Sequence, residues 1–261
     1  MTASNPRADD ALAIWDRITR FSADESPLDF VLIWDHLDRF VAGAWLTLEV
    51  TFLALLLGGM LAIPLAFAAQ AEQWWLRWPV GLFSYVFRGT PLLVQLYLIY
   101  FGLAQFEAVR ASWAWEPILS KAWWCALIVF TLNTCAYTTE ILRGAIVNTE
   151  RGHLEAGRAC GMAPLMLARR IVLPGALRRA LPAYGNEVIF MLHGSVVLST
   201  VTLQDVLGVG RWLNGRYYVA YEGFITAMLF YMVLVFLVTC VLRLWESRWH
   251  AHLPNAALRP G

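Results

Sequence analysis

The chain has 261 residues, of which 59% are hydrophobic and 15% are charged, and its formal net charge is +1. About a quarter of the residues of a soluble domain are charged. The composition therefore excludes an ordinary water-soluble domain and predicts an integral membrane protein that is surrounded by a lipid bilayer. The 13 tryptophans are interpreted as membrane-interface residues rather than stacking platforms for bases, so we expect no nucleic-acid partner.

Residues 1–35 are acidic and lack the basic and apolar regions of a cleavable signal peptide. We expect them to form an extension of the mature protein on the outer, periplasmic side of the membrane. Residues 11–21 alternate apolar and charged side chains and are predicted to form an amphipathic helix. At the other end, residues 249–261 are expected to be a cytoplasmic tail.

Several apolar stretches approach the length of about 20 residues that a spanning helix needs. We predict an all-α fold with five transmembrane helices, over residues 41–69, 90–106, 121–142, 184–206 and 223–245. Tryptophans and arginines within residues 74–89 predict a helix in the membrane interface, with Arg88 as an anchor. Thr90 and Pro91 predict the start of the second span, with the threonine as N-cap.

Arginines lie mainly between the first two spans, between the third and fourth, and after the fifth. Basic residues favour the cytoplasmic side, and an odd number of spans places the two termini on opposite sides. We therefore expect a periplasmic N-terminus, a cytoplasmic C-terminus, and a transmembrane domain over residues 36–248. The basic, half-apolar stretch 143–183 becomes a cytoplasmic loop.

This loop of about forty residues is too apolar for a disordered segment. Two or three short helices docked on the cytoplasmic face, with some apolar surface left for a partner, are one interpretation. A membrane-surface helix that holds anionic lipid through its arginines is the other. The residues alone leave both interpretations open.

One motif in the loop has a fixed spacing. Glu155-Ala156-Gly157 is followed by Gly161 and then by Ile171-Val172-Leu173-Pro174. This resembles the signature loop of importer-type ABC permeases, which reads E-A-A, three residues, G, nine residues, I-x-L-P. Only Gly157 departs from it, where a glycine replaces an alanine and slightly weakens the local helix.

Three further stretches resemble the polar amino acid branch of that family. They are FRGTPLLVQLYLIYFG (87–102), TLNTCAYTTEILRGAI (131–146) and LPAYGNEVIFMLH (181–193). Within the branch they are most similar to the histidine and lysine/arginine/ornithine permease subunits, with arginine and opine relatives close behind. The resemblance covers nearly the whole chain after about residue 35.

The resemblance implies that the loop forms a coupling helix that docks into a groove on a cytoplasmic ATPase subunit. The residues it assigns to this role are Glu155, Ala156, Gly157, Gly161, Ile171, Leu173 and Pro174. For Gly161 a second interpretation, as the C-terminal cap of a helix, is compatible with the first. The resemblance also implies that the chain lies in a bacterial inner membrane and has three partners. They are a cytoplasmic ATPase dimer, a periplasmic amino-acid-binding protein, and a second, homologous permease subunit that forms a heterodimer with this chain.

The sequence contains no GxxxxGK[ST] motif and a single lysine, Lys121. Without a phosphate-binding loop the chain is not expected to be an enzyme, and ATP and Mg²⁺ would be bound by the partner ATPase. The four cysteines show no CxxC or Cys/His spacing for a metal. We therefore expect neither a cofactor nor a metal in this chain.

Ionisable residues inside spans are candidates for the transport pathway. Glu140 and Glu187 are the acidic candidates for a cationic substrate, because carboxylates suit its ammonium groups. The polar side chains expected to line the pathway beside them are Asn133, Tyr137, Asn186 and His193. Structural alternatives stay open: Glu140 has the i, i+3 spacing for an ion pair with Arg143, Glu187 could pair with Arg179 or another basic residue of the loop, and His193 could be a packing residue.

These expectations together predict a permease subunit that moves cationic amino acids (histidine, arginine, lysine or ornithine) into the cytoplasm by alternating access. Another polar amino acid or an opine is the first alternative. A secondary transporter is a second, although its internal repeats are missing. A membrane-embedded enzyme is a third, but no HExxH or GxSxG motif is present.

Overall fold

The computed structural model of the chain describes residues 30–250. Within that range nearly every residue is helical and no strand occurs, as the sequence predicts. The amphipathic segment 11–21 and the C-terminal residues 251–261 lie outside the described residues.

Helices of very different lengths follow one another along the chain. In chain order they are α1 (Phe30–Asp35), α2 (Leu37–Ala68), α3 (Trp74–Gly89), α4 (Leu92–Tyr97), α5 (Glu107–Arg110), α6 (Ala122–Val147), α7 (Arg151–Ala159), α8 (Pro164–Leu167), α9 (Leu173–Gly194), α10 (Val206–Tyr217) and α11 (Ala220–His250). Short π-helical turns extend α4 over Leu98–Gly102, precede α6 over Trp115–Leu119, and join α8 to α9 over Ala168–Val172. Tight 3₁₀ turns cover Leu103–Gln105 and Ser195–Thr200.

Three helices of the described range are long and apolar enough to cross a membrane: α2, α6 and residues Ala220–Glu246 of α11. A fourth crossing is available if α3 and Leu92–Gln105, which are bent by 104° at the break between them, form one broken span. The structure therefore supports three to four spans, and five spans stay a prediction.

Several helix ends differ from the sequence predictions: α6, for example, continues to Val147, beyond the expected end at residue 142. The helix expected over 184–206 instead runs over Leu173–Gly194 and continues as the 3₁₀ turn, so the last part of the expected loop 143–183 already belongs to α9. Thr90 does not act as the N-cap of the next helix. Its hydroxyl donates to the carbonyl oxygen of Val86 at 2.8 Å, and α4 begins only after Pro91.

Helix α6 lies at the centre of the fold, and 72% of the residues in its most apolar 18-residue stretch are buried. Its closest neighbour is α2, which reaches it through Gly58. A Cβ atom at Gly58 would lie 2.9 Å from the carbonyl oxygen of Thr131 and would overlap the side chain of Thr134. Small residues allow this close approach of two helix backbones inside a membrane.

We predict that Gly58→Ala destabilises the protein by about 1–3 kcal/mol, because the new methyl group meets the α6 backbone and cannot be accommodated by a rotamer change. The adjacent Gly59→Ala is the matched control, since its Cβ finds nothing closer than the Tyr184 hydroxyl at 3.4 Å. The measurement is the temperature at which the detergent-purified protein loses its monodisperse peak. Equal temperatures for the two variants would contradict the prediction.

Candidate functional site

The first part of the motif, Glu155–Gly161, forms the second half of helix α7 and the C-terminal cap of that helix. Gly161 has a φ of +74°, its N–H donates to the Arg158 carbonyl at 2.9 Å, and the Met162 N–H donates to the Gly157 carbonyl at 3.1 Å. These two bonds form a Schellman motif, which satisfies the last carbonyls of a helix and favours glycine at the left-handed position. The interpretation of Gly161 as a helix cap is therefore confirmed.

Helix α7 packs on the segment 164–172 through Gly157, which is buried although the rest of α7 is largely exposed. A Cβ atom there would overlap the end of the Leu167 side chain and lie 2.9 Å from Cδ1 of Ile171. The side chain of Glu155 remains exposed. The motif thus forms one compact unit in which the acidic residue faces outward.

The segment 164–172 of this unit runs directly into α9, where Arg179 ties the start of that helix to the end of α6. Its guanidinium donates two hydrogen bonds of 3.1 Å to the carbonyl oxygen of Ala145, in α6, and one of 2.7 Å to the hydroxyl of Thr149. Beside it, small side chains of α2, α6 and α9 pack into one apolar cluster. A displacement of α7 would therefore reach α6 and α2 through α9.

A second site lies where the chain breaks between α3 and α4. A cavity of about 530 Å³ opens there, lined by the break itself and by residues of α6 and α9. We call it the bend pocket and define it by Arg88, Thr90, Asn133, Tyr137, Glu187 and Phe190. Three sequence-predicted residues, Asn133, Tyr137 and Glu187, meet in this pocket.

One acidic and one basic residue border the bend pocket. Glu187 is 6% exposed, and the described residues offer it no ion pair within 4 Å. Arg88 has a side chain that is 43% exposed, and its guanidinium lies 5.4 Å from the centre of the Tyr137 ring. The expected alternative partner of Glu187, Arg179, is used elsewhere. Arg88, interpreted from the sequence as an interfacial anchor, instead lines the pocket.

Glu140 has a different environment from Glu187. Its carboxylate accepts from Nε of Arg143 at 2.9 Å, with Nη2 of the same residue also at 2.9 Å, and lies 3.9 Å from Nη1 of Arg88. The ion pair predicted from the i, i+3 spacing is present. Glu140 does not line the bend pocket but balances the charge of an arginine that does.

Asn133 and Tyr137 hold the end of α3 as well as lining the pocket. Nδ2 of Asn133 donates to the Phe87 carbonyl at 3.2 Å, and the Tyr137 hydroxyl donates to the Arg88 carbonyl at 3.4 Å. Gln95 of α4, which the sequence reading did not single out, joins them: its Nε2 donates to the Phe87 carbonyl at 2.8 Å. The sequence signal that identifies it in retrospect is an amide in an apolar helix just after a Thr-Pro break.

The remaining two candidates lie away from the bend pocket. Asn186 is exposed and lines a smaller cleft with Arg243 and Glu246. His193 is exposed one residue before the end of α9. Among residues 30–250, no three His, Cys, Asp or Glu side chains come together in a way that could hold a metal ion.

Known proteins with the same fold include transporter subunits. The chain is similar to an amino acid ABC transporter solved "with histidines", at a TM-score of 0.74 and 31% identity over 85% of this chain and 99% of that one. An inward-facing methionine ABC transporter, MetNI, matches at a TM-score of 0.67 and 19% identity, over 85% and 99% of the two chains. The second likeness concerns the fold alone.

Relatives of known function are similar over nearly their whole length. An octopine transport system permease protein of Rhizobium meliloti is 40% identical over 85% of this chain and 91% of the relative. A histidine/lysine/arginine/ornithine transport system permease protein of Escherichia coli K12 is 39% identical over 85% and 93%. Residues 54–251 match the family described as "Binding-protein-dependent transport system inner membrane component". The chain belongs to this family of binding-protein-dependent transport permeases.

Proposed function

We propose that the chain is the permease subunit of an ATP-driven importer for polar amino acids, with cationic amino acids as the preferred class. Family membership and the transport functions named for the 39–40% identical relatives support the importer. The observation that supports cationic amino acids as the substrate class is that the buried side chain of Glu187 and the side chain of Arg88 line the same cavity, the bend pocket.

An amino acid is a zwitterion, so its passage through a membrane requires partners for both charges. In the proposed complex Arg88 pairs with the α-carboxylate, because a guanidinium suits the planar, two-oxygen group. Glu187 pairs with an ammonium or guanidinium group of the substrate. Asn133 and Tyr137 orient it from α6. Glu140 stays bound to Arg143 and is not part of the proposed contact surface.

The proposed setting is the bacterial inner membrane, with five spans, a periplasmic N-terminus and a cytoplasmic C-terminus. The distribution of arginines supports this orientation. We further propose that a second, homologous permease subunit completes the pathway and that a periplasmic binding protein delivers the substrate. Asn186 and His193, which lie outside the bend pocket, are kept as secondary pathway residues.

The proposed energy source is a separate ATPase dimer that binds ATP and Mg²⁺ and docks on α7. The exposed Glu155, the rigid cap at Gly161 and the packing of Gly157 on Ile171 support this role. Leu173 and Pro174 start α9, so a push on α7 is transmitted to the helix that carries Glu187. Alternating access would then follow from rigid-body motion of packed helices.

The function is tested by reconstituting the chain in liposomes with its partner permease, the ATPase and the binding protein. ATP hydrolysis and uptake are measured with arginine, lysine, ornithine, histidine, octopine, glutamine and glutamate in turn. Stimulation by the cationic amino acids supports the proposal, whereas stimulation by octopine alone supports an opine importer. Uptake driven by an ion gradient without ATP would refute the importer.

We predict that Glu187→Gln weakens binding of arginine to the purified transporter by about 30-fold or more. Removing one partner of a buried charge pair costs about 2–5 kcal/mol, and each 1.4 kcal/mol corresponds to tenfold. Equilibrium dialysis with radiolabelled arginine, without binding protein, measures the change. Glu49→Gln is the matched control, because Glu49 is a carboxylate of α2 that does not line the pocket. Equal affinities would return Glu187 to a structural role.

We predict that Gly161→Ala weakens ATPase docking by about tenfold. An L-residue in the left-handed region costs about 1–2 kcal/mol, and the strain loosens the end of α7. Gly152→Ala, in the same helix with open space around it and an ordinary φ, should leave docking unchanged. Titration of purified ATPase onto the permease in nanodiscs provides the affinities. Indistinguishable curves for the two variants would contradict the prediction.

We predict that Glu155→Arg reduces substrate-stimulated ATP hydrolysis by at least roughly tenfold, because charge reversal at a docking surface costs several kcal/mol. Glu155→Gln, which keeps the shape and removes the charge, should fall between the wild type and this variant. Normal stimulation and normal assembly of the Glu155→Arg complex would remove Glu155 from the coupling surface.

A further inference from the structure

The break between α3 and α4 leaves several backbone carbonyls without their usual donors, and the carbonyl of Phe87 is one of them. In a continuous helix the carbonyl of Phe87 would accept from the N–H of residue 91. Residue 91 is a proline and has no N–H. Inside a membrane no water replaces a missing donor, so the carbonyl must be satisfied by the protein.

Two side-chain amides replace the missing N–H. Nε2 of Gln95 donates to the Phe87 carbonyl at 2.8 Å, and Nδ2 of Asn133 donates to the same oxygen at 3.2 Å. The amides also bind each other, because Oε1 of Gln95 accepts from Nδ2 of Asn133 at 3.1 Å. Both residues are buried, at 8% and 7% exposure. The pair therefore ties α3, α4 and α6 together at one point.

Gln95 also holds the residue between the two helices. Its Nε2 lies 3.0 Å from the carbonyl oxygen of Thr90 and 2.8 Å from the hydroxyl of Thr90. Gln95 thus contacts the chain on both sides of Arg88 and Gly89. Because these bonds hold the backbone on each side, they set the direction of the Cα–Cβ bond from which the Arg88 side chain starts.

We infer that Gln95 is a positioning residue for the substrate: through the Gln95–Asn133 amide pair it sets the bend and so places Arg88 in the bend pocket. Gln95 does not itself line the pocket, so its effect on the substrate must pass through the bend. The inference rests on the proposed function, in which Arg88 receives the substrate carboxylate.

The test is Gln95→Met, which keeps the length of the side chain and removes both its donors and its acceptor. We expect the affinity for radiolabelled arginine, measured on the complete transporter without binding protein, to fall by about tenfold, by analogy with the lower end of the loss found when a side chain that orients a metal ligand is removed.

Gln70→Met is the matched control. Gln70 is exposed and makes one bond of 3.5 Å to the carbonyl of Ala66, four residues before it, at the end of α2. The same substitution there should leave arginine affinity unchanged. If Gln95→Met does not assemble, Gln95→Asn takes its place, because an amide shorter by one methylene loses the bond to Phe87 while the site stays polar.

A double-mutant cycle separates positioning from a general packing effect. In an Arg88→Gln background, Gln95→Met should change the affinity by less than about twofold, since no guanidinium is left to position. Fully additive losses would overturn the inference. So would an unchanged affinity of Gln95→Met beside a loss in Glu187→Gln, and in that case the proposed function stands. If Arg88→Gln, Glu187→Gln and Gln95→Met all bind arginine normally, the proposed site is wrong and the inference falls with it.

Discussion

The need to satisfy backbone carbonyls without water determines the structure around the bend pocket. Pro91 removes the donor for Phe87, and side chains of α4 and α6 supply hydrogen bonds in its place. These hydrogen bonds place the buried amides of Gln95 and Asn133 and the hydroxyl of Tyr137 at the break between α3 and α4. The polar cavity therefore exists because the helix is broken there, and some of the residues that repair the break also face the cavity.

Two glycines place the pocket and the signature motif relative to the long helices. Gly58 lets α2 approach the backbone of α6 near Thr131, within one helical turn of Asn133. Gly157 lets α7 rest on Leu167 and Ile171. The signature motif of importer permeases has an alanine at the position of Gly157. In this chain the side chains of Leu167 and Ile171 fill the space that an alanine methyl group would need.

The two carboxylates that the sequence placed within predicted spans, Glu140 and Glu187, have different surroundings. Glu140 is followed by Arg143 in the same helix, and a partner at i+3 is available whatever the rest of the protein does. Glu187 has no such neighbour, and it is the packing of α9 against α6 that buries it beside the bend pocket. Local spacing along one helix thus determines the ion pair of Glu140, whereas the packing of two helices determines the burial of Glu187.

The sequence by itself determined the nature of the chain as an apolar membrane protein, the all-helical fold, the helix over residues 74–89, the ion pair of Glu140 and the cap at Gly161, because each depends on composition or on residues a few positions apart. The tertiary structure decided the ends of α9, which a hydrophobic run over 184–206 misplaced, and the separation of Asn186 and His193 from the other candidates. It also decided the role of Gln95. A hydrophobic run in the sequence indicates that a segment is surrounded by lipid or by other apolar side chains. Only the packed helices show which side chain, here that of Gln95, donates to the Phe87 carbonyl that has lost its usual N–H partner.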